Sequence, residues 1–139
     1  MIKGKVLSIA AFLSVAVAIG LMITPYGAML RFAYDGGATV KTYSYFSLVP
    51  YGYANFSPFI AALLSCASAV LSAICIAKNG VKLKNARGGL LSVAAVVSAI
   101  PFVSGYGTVV GAFIMLMLFA AAVLSFFDLR QVKNEDKDL

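Results

Sequence analysis

The sequence contains no histidine and no tryptophan, and it has only five acidic residues and two cysteines among 139 residues. Without histidine, the chain lacks the most frequent general base and a common metal ligand. Of the acidic residues, Asp35 and Asp128 stand apart and the other three belong to the C-terminal tail. No base lies near a candidate nucleophile in the sequence, and no cluster has metal-ligand spacing. We therefore predict no enzymatic activity, no cofactor and no catalytic residue.

Charged residues of either sign are scarce, at 12% of the chain, whereas hydrophobic residues make up 62%. A soluble domain has about 25% charged residues. A soluble fold of this length would bury only about two-thirds of its surface, which is too little to hide so much apolar side chain from water. The eleven lysines and arginines lie beside apolar runs and form no continuous basic face. This pattern predicts an integral membrane protein and excludes a nucleic-acid partner.

Four apolar runs carry no charged residue, at about 6–24, 57–77, 89–104 and 108–127. A membrane-spanning helix needs about 20 apolar residues, which the third run approaches least closely. The runs predict one domain over 1–139, an all-α, antiparallel, four-helix transmembrane bundle. Residues 25–56 form its outer loop and 128–139 a solvated tail. Ala16-Val17-Ala18 is similar to a signal-peptide cleavage site, but the apolar run continues beyond it, which favours a retained helix.

The distribution of positive charge predicts the orientation of the bundle. Nine of the eleven lysines and arginines lie before residue 6, in 78–88 or in the tail, and only Arg31 and Lys41 lie on the other side. Positive residues are retained in the cytoplasm. Both termini are therefore expected on the cytoplasmic side of a cell (plasma) membrane. Cys66 and Cys75 lie in one helical run, about 13.5 Å apart in rise, too far for a disulfide bond.

The outer loop has the pattern of a small folded unit. Strand-forming residues at 29–34 and 39–48 flank Asp35-Gly36-Gly37, which predicts a β-hairpin-like cap over the helix ends. Aromatic side chains of this loop suit a membrane interface or a partner surface. The candidate interaction surface comprises Tyr34, Tyr43, Tyr45, Phe46, Tyr51 and Tyr53.

Small residues recur in the second and fourth runs, where they permit close helix packing. A candidate packing seam comprises Ala61, Ser65, Ala69, Ala73, Gly107 and Gly111. The seam could serve a dimer, or Ser65, Ser68 and Ser72 could line a polar path. Packing within the bundle is the favoured interpretation, with Gly107 and Gly111 predicted to approach the third helix.

The loop between the second and third runs is strongly basic. Its candidate contacts to anionic lipid are Lys78, Lys82, Lys84 and Arg87, each contributing about 1 kcal/mol near a membrane surface. The alternative is that these charges only set the orientation. Ion-coupled transport is disfavoured, because such proteins keep an ionisable residue inside the membrane and none of the four apolar runs contains one.

Three functions fit these observations. The favoured function is a structural or accessory protein that associates in the membrane with another protein or with itself, and the next two are alternatives in descending order. The second is a binding module for a lipid or another apolar ligand, held between cap and helices. The third is an oligomeric pore for a neutral solute. Membrane lipids are expected partners in each case.

Overall fold

The computed structural model describes residues 2–78, 80–135 and 137–138. Within these residues the chain forms five helices and one two-stranded antiparallel sheet. In chain order the elements are α1 (Ile2–Ile23), β1 (Ala28–Tyr34), β2 (Gly37–Tyr43), α2 (Leu48–Gly52), α3 (Ser57–Ala77), α4 (Val81–Val103) and α5 (Val109–Glu135). Four of the helices are long and apolar enough to cross a membrane. The predicted set of four apolar helices with a small hairpin is therefore confirmed.

The four long helices form a closed bundle. Helix α1 packs against α5 and α3, and α4 packs against α3 and α5. Short connections at residues 78–80 and 104–108 make α3, α4 and α5 successively antiparallel. The Ser8 hydroxyl, near the start of α1, donates a hydrogen bond to Asp128, near the end of α5. The bundle thus has two distinct ends, a cap end that carries the hairpin and an opposite end that contains Asp128.

The bundle interior contains small residues, and large apolar side chains face outward. Ala11, Ala18, Ala61, Ala94 and Ala121 are fully buried. Outward-facing side chains include those of Leu63, Val96 and Phe119. Membrane helices gain stability through close backbone approach, because lipid exerts no hydrophobic force between them. The interior also holds larger side chains, among them Met22, Leu91 and Leu118, so the alanines allow close helix approach around a mixed core.

Three of the long helices extend beyond the predicted apolar runs, and α1 does so by beginning at Ile2, before the predicted start at residue 6. Helix α4 begins at Val81, eight residues before the predicted start at 89, and α5 continues to Glu135, past 127. The predicted runs end at charged residues, but lysine, arginine, glutamine and glutamate favour the helix, so the backbone remains helical beyond the apolar runs. Much of the predicted solvated tail is accordingly helical, whereas Asp136 and Leu139 lie outside the described residues.

Candidate functional site

The cap, residues 25–56, is built on the hairpin. Strands β1 and β2 pair from Ala28↔Tyr43 to Tyr34↔Gly37, so that Phe32 lies opposite Thr39 and Leu30 opposite Lys41. Residues opposite one another share a face of the sheet. A positive φ of 143° occurs at Gly37, the first residue of β2, where glycine avoids the strain that a side chain would cause. The sheet therefore has one face that carries Leu30, Phe32, Thr39 and Lys41.

Tyr45 anchors the cap to the bundle. Its side chain is 1% exposed, and its backbone N–H donates to the Met22 carbonyl at 3.0 Å. The ring packs so closely on Gly27 that a Cβ there would lie 2.8 Å from the tyrosine Cδ1. Burial raises the pKa of Tyr45 to about 12, and its hydroxyl has no hydrogen-bond partner within the described chain. A close-packed aromatic ring thus holds the cap against the ends of α1 and α5.

Thr108 ties the same corner together. Its hydroxyl donates to the Gly27 carbonyl at 2.8 Å and accepts from the Gly111 N–H, also at 2.8 Å. A Cβ at Gly111 would lie 3.1 Å from the Gly27 oxygen. Gly111 therefore permits α5 to approach the cap, whereas Gly107 faces the ring of Phe102 in α4. Both glycines were expected to contact the third long helix, α4. Gly107 does so, whereas Gly111 lies against Gly27 and Tyr45 of the cap.

A cavity of about 530 Å³, here called the cap cavity, lies between β1, the segment after α2 and the cap-end turns of α3 and α4. Most of its lining is apolar or aromatic. Leu30 and Phe32 come from β1, Ile60 from α3, and Val97 and Ile100 from α4. The non-aromatic polar residues of the lining are Arg31, Asn55, Ser57 and Ser104, of which Arg31 lies on the opposite face of the sheet from Leu30 and Phe32.

Asn55 has a fixed orientation in this lining. Its Oδ1 accepts a hydrogen bond from the Ser57 hydroxyl at 3.2 Å. Its Nδ2 is buried and has no partner among the described residues. A buried donor without an acceptor costs about 1–3 kcal/mol.

A second cleft of about 410 Å³ lies between the sheet face and α2, and its lining includes Thr39, Lys41 and Val49. Phe32 and Tyr53 line both spaces. Their rings meet edge to face, with centroids 5.2 Å apart and planes at 85°. This aromatic pair therefore forms the partition between the cap cavity and the second cleft.

The six residues of the predicted aromatic surface do not form one surface. Tyr34, Tyr51 and Tyr53 are exposed, Tyr43 and Phe46 are partly buried against the core, and Tyr45 is fully buried. Tyr53 lines the cap cavity, and Tyr34 and Tyr43 line the second cleft. The aromatic residues thus have separate roles in anchoring, lining and exposure, which their spacing did not distinguish.

The residues of the predicted seam on α3 become more exposed from one end of the helix to the other. Ala61 and Ser65 are buried, Ala69 is partly buried, and Ala73 is exposed. A spacing of four residues advances by about 40° per step on a helix of 3.6 residues per turn, so three steps reach a different face.

The buried face of α3 instead continues through Ser68, Ser72 and Cys75. The hydroxyls of Ser65, Ser68 and Ser72 donate to carbonyls of their own helix, each at 2.7 Å. This bonding favours a packing role for the serines over a polar path.

The basic residues predicted to contact lipid separate into two groups. Lys78 and Lys82 are exposed, whereas Lys84 and Arg87 are buried inside the bundle. Lys84 Nζ lies 2.7 Å from Asp128 Oδ1, and an Arg87 terminal nitrogen lies 2.7 Å from Asp128 Oδ2. The expected lipid contacts of Lys84 and Arg87 are therefore replaced by an ion cluster.

This ion cluster joins three helices at the end opposite the cap. Ser8 of α1 donates to Asp128 Oδ2 of α5, and Arg87 of α4 donates to the Ser8 hydroxyl at 3.3 Å. The sequence does not predict this ion cluster, because Asp128 follows the last apolar run and is expected at a cytoplasmic helix end. A usable signal was present, since Lys84 and Arg87 are three residues apart and so share a helix face.

No group of three or more histidine, cysteine or acidic side chains in the described ranges is placed to hold a metal ion. Comparisons with protein-family models, curated proteins and solved structures found no match to this chain. The geometry of the chain's own residues is therefore the basis for assigning a function.

Proposed function

We propose that this chain is a multi-pass membrane protein that binds a lipid or another apolar ligand in the cap cavity. The observation that carries the proposal is the cavity itself. Its volume of about 530 Å³ falls within the roughly 300–1,000 Å³ of small-molecule sites, which are lined mainly by apolar and aromatic side chains with few polar groups. The largely apolar lining, with its few polar residues, fits that description.

The position of the cavity supports entry from the bilayer. Ile60 and Ile100 line it and are also 41% and 45% exposed on the outer faces of α3 and α4. Val97 lies two turns before the end of α4, so the apolar wall extends about 9 Å from that end towards the middle of the bundle. A chain in the surrounding lipid could therefore enter laterally, between α3 and α4, without crossing water.

Filling the cavity is expected to abolish ligand binding. The Ile100→Trp variant places a large ring in the lining, and we expect at least a several-fold loss of photo-crosslinking to a diazirine-bearing long-chain lipid. The sites of crosslinking in the wild-type protein, mapped by mass spectrometry, should include peptides from the cap-end turns of α3 and α4.

Val96→Trp is the matched control, because Val96 lies one turn from Ile100 on the same helix, is 68% exposed and does not line the cavity. Equal crosslinking of both variants at these peptides, with both retaining wild-type thermal stability, would contradict the proposal.

We also propose that both termini lie in the cytoplasm of a cell with this protein in its plasma membrane. The supporting observation is the asymmetry of positive charge, with nine of eleven lysines and arginines outside the cap side. In a Cys66→Ala, Cys75→Ala background, a cysteine at exposed Gly36 should react with an impermeant maleimide in intact cells. A cysteine at exposed Asn134 should react only after permeabilisation. The reverse pattern would overturn this orientation.

A structural or accessory role is the second candidate, and the exposed aromatic side chains of Tyr34 and Tyr51 favour it. Native mass spectrometry of the protein extracted from its own membrane separates the two candidates. A retained lipid supports ligand binding, whereas a stoichiometric second protein, lost on Tyr34→Ser substitution, supports the accessory role.

A further inference from the structure

We infer that the end of the bundle opposite the cap binds anionic phospholipids, whose phosphate groups contact four exposed cations around the long helices. These residues, here called the rim cations, are Lys5, Lys78, Lys82 and Arg130. This contact surface is separate from the cap cavity, because it lies at the other end of the molecule.

The rim cations come from all four long helices. Lys5 lies near the start of α1, and Lys78 is the C-cap of α3. Lys82 lies in the first turn of α4, and Arg130 lies near the end of α5. Hydrogen bonds to Asp128 join the start of α1 and the start of α4 to the end of α5, and the connection at 78–80 places the end of α3 beside them. Since each long helix packs against two others, the cations are distributed around the bundle.

The rim cations lie where the lipid-facing apolar surface ends. On α1, Ile9 follows Lys5 by four residues, and on α5, Phe126 precedes Arg130 by four residues, so each pair shares a helix face. Ile9 is 43% exposed and Phe126 is 52% exposed. In a bilayer, a change from apolar to basic side chains along one helix face marks the level of the headgroups. The rim cations therefore lie at the depth of the lipid phosphates.

The rim cations have no acidic partner among the residues that the structure describes. The carboxylate of Asp128 lies at the same end, but it is fully buried and its oxygens bond Lys84 and Arg87. Lys82 lies in the first turn of α4, where the helix dipole disfavours a cation and no acidic residue offsets it. Negative charge that complements the rim therefore comes from outside the described chain.

The surroundings of these cations favour phospholipid as the source of that charge. A soluble anion would contact the basic side chains alone and leave the adjoining apolar surface, which includes Ile9 and Phe126, uncovered. A phospholipid presents its phosphate to the cations and its acyl chains to that apolar surface. Lysine and arginine bind phosphate oxygens through charge-assisted hydrogen bonds, and each basic side chain near an anionic membrane surface strengthens the attraction.

A measurement in detergent separates lipid contact from the role of these charges in orientation, because no membrane insertion takes place there. The full-length protein in neutral maltoside micelles is mixed with equal amounts of phosphatidylglycerol and phosphatidylcholine that carry the same acyl chains. Native mass spectrometry then counts the lipids that each protein molecule retains. The wild-type protein should retain phosphatidylglycerol in at least about fivefold excess, the effect of one such cation. The excess should fall as the ionic strength rises.

Lys78→Gln combined with Lys82→Gln should reduce this excess several-fold. Arg31→Gln combined with Lys41→Gln is the matched control, because it removes two exposed positive charges from the cap, and it should keep the excess. Both pairs change exposed side chains, so both variants should keep the thermal stability of the wild-type protein.

Equal retention of the two lipids by the wild-type protein would show that the rim cations only set the orientation of the chain, and it would overturn the inference. An equal loss in the two paired variants would overturn it as well, because the preference would then follow net charge and not position. Neither result bears on the cap cavity, since both lipids carry the same chains and Ile100→Trp tests that site.

Discussion

Replacing Asp128 with asparagine is expected to lower the free energy of unfolding by about 3–5 kcal/mol, the cost of removing one partner from a buried ion pair. Asp128 is fully buried and is the only carboxylate that bonds Lys84 and Arg87 among the described residues. The variant leaves two buried cations without a counter-charge, and it replaces one of the two oxygens that accept from Ser8, Lys84 and Arg87 with an amide donor. Unfolding by SDS in mixed micelles, followed by far-UV circular dichroism, measures this loss.

The charge balance of the cluster provides a sharper comparison. Lys84→Met leaves one cation, Arg87, opposite one anion, Asp128. We therefore expect a change of about 1 kcal/mol or less, since the large cost of breaking a buried ion pair comes from an uncompensated charge and this variant leaves none. Lys82→Met is the matched surface control on the same helix and should be neutral. If Asp128→Asn and Lys84→Met cost the same, the cluster is not held together by the balance of its charges.

Truncating Tyr45 to alanine is expected to cost about 3–5 kcal/mol, as for other buried aromatic side chains, and to release the cap from the bundle. The ring fills the corner between Gly27, Gly111 and Ile114, so its removal leaves a cavity there. Limited proteolysis should then cut within the cap, and the crosslinking at the cap cavity should fall, because β1 and Asn55 lose their fixed position.

Tyr45→Phe is the control that separates packing from the hydroxyl. The hydroxyl is buried without a hydrogen-bond partner in the described chain, so its removal should leave stability unchanged or raise it by about 1 kcal/mol. A loss of more than 1 kcal/mol in Tyr45→Phe would show that the hydroxyl is bonded.

The same residue predicts a dependence of stability on alkaline pH. Burial raises the pKa of Tyr45 from 10.0 to about 12, so the neutral phenol is the form that the folded cap accommodates. Its contribution is complete below about pH 10 and is lost as the pH rises through about 12, with a total near 3 kcal/mol. Unfolding measured across this window should show the step in the wild-type protein, whereas Tyr45→Phe should lack it.

Much of the fold could be predicted because lipid selects strongly for length and hydropathy. Uncharged runs such as 57–77 have few alternatives to a helix, and α3 spans Ser57–Ala77 as expected. The hairpin was also predictable, because Asp35-Gly36-Gly37 interrupts two strand-forming segments. The division of the aromatic residues was not, because burial of Tyr45 depends on the absence of side chains at Gly27 and Gly111, which are distant in sequence.

The sequence by itself determined the class of the protein, the number of long helices, the hairpin and the charge asymmetry, since each follows from local composition and its period. Tertiary structure decided where the charges near the helix ends lie. Their sequence context predicts that Lys84 and Arg87 lie at the surface. Folding brings Asp128, some forty residues later, beside them and buries all three. The tertiary structure also creates the cap cavity, whose walls come from β1, α3 and α4. A cavity is the space left between elements after packing, and no single segment of the chain encodes it.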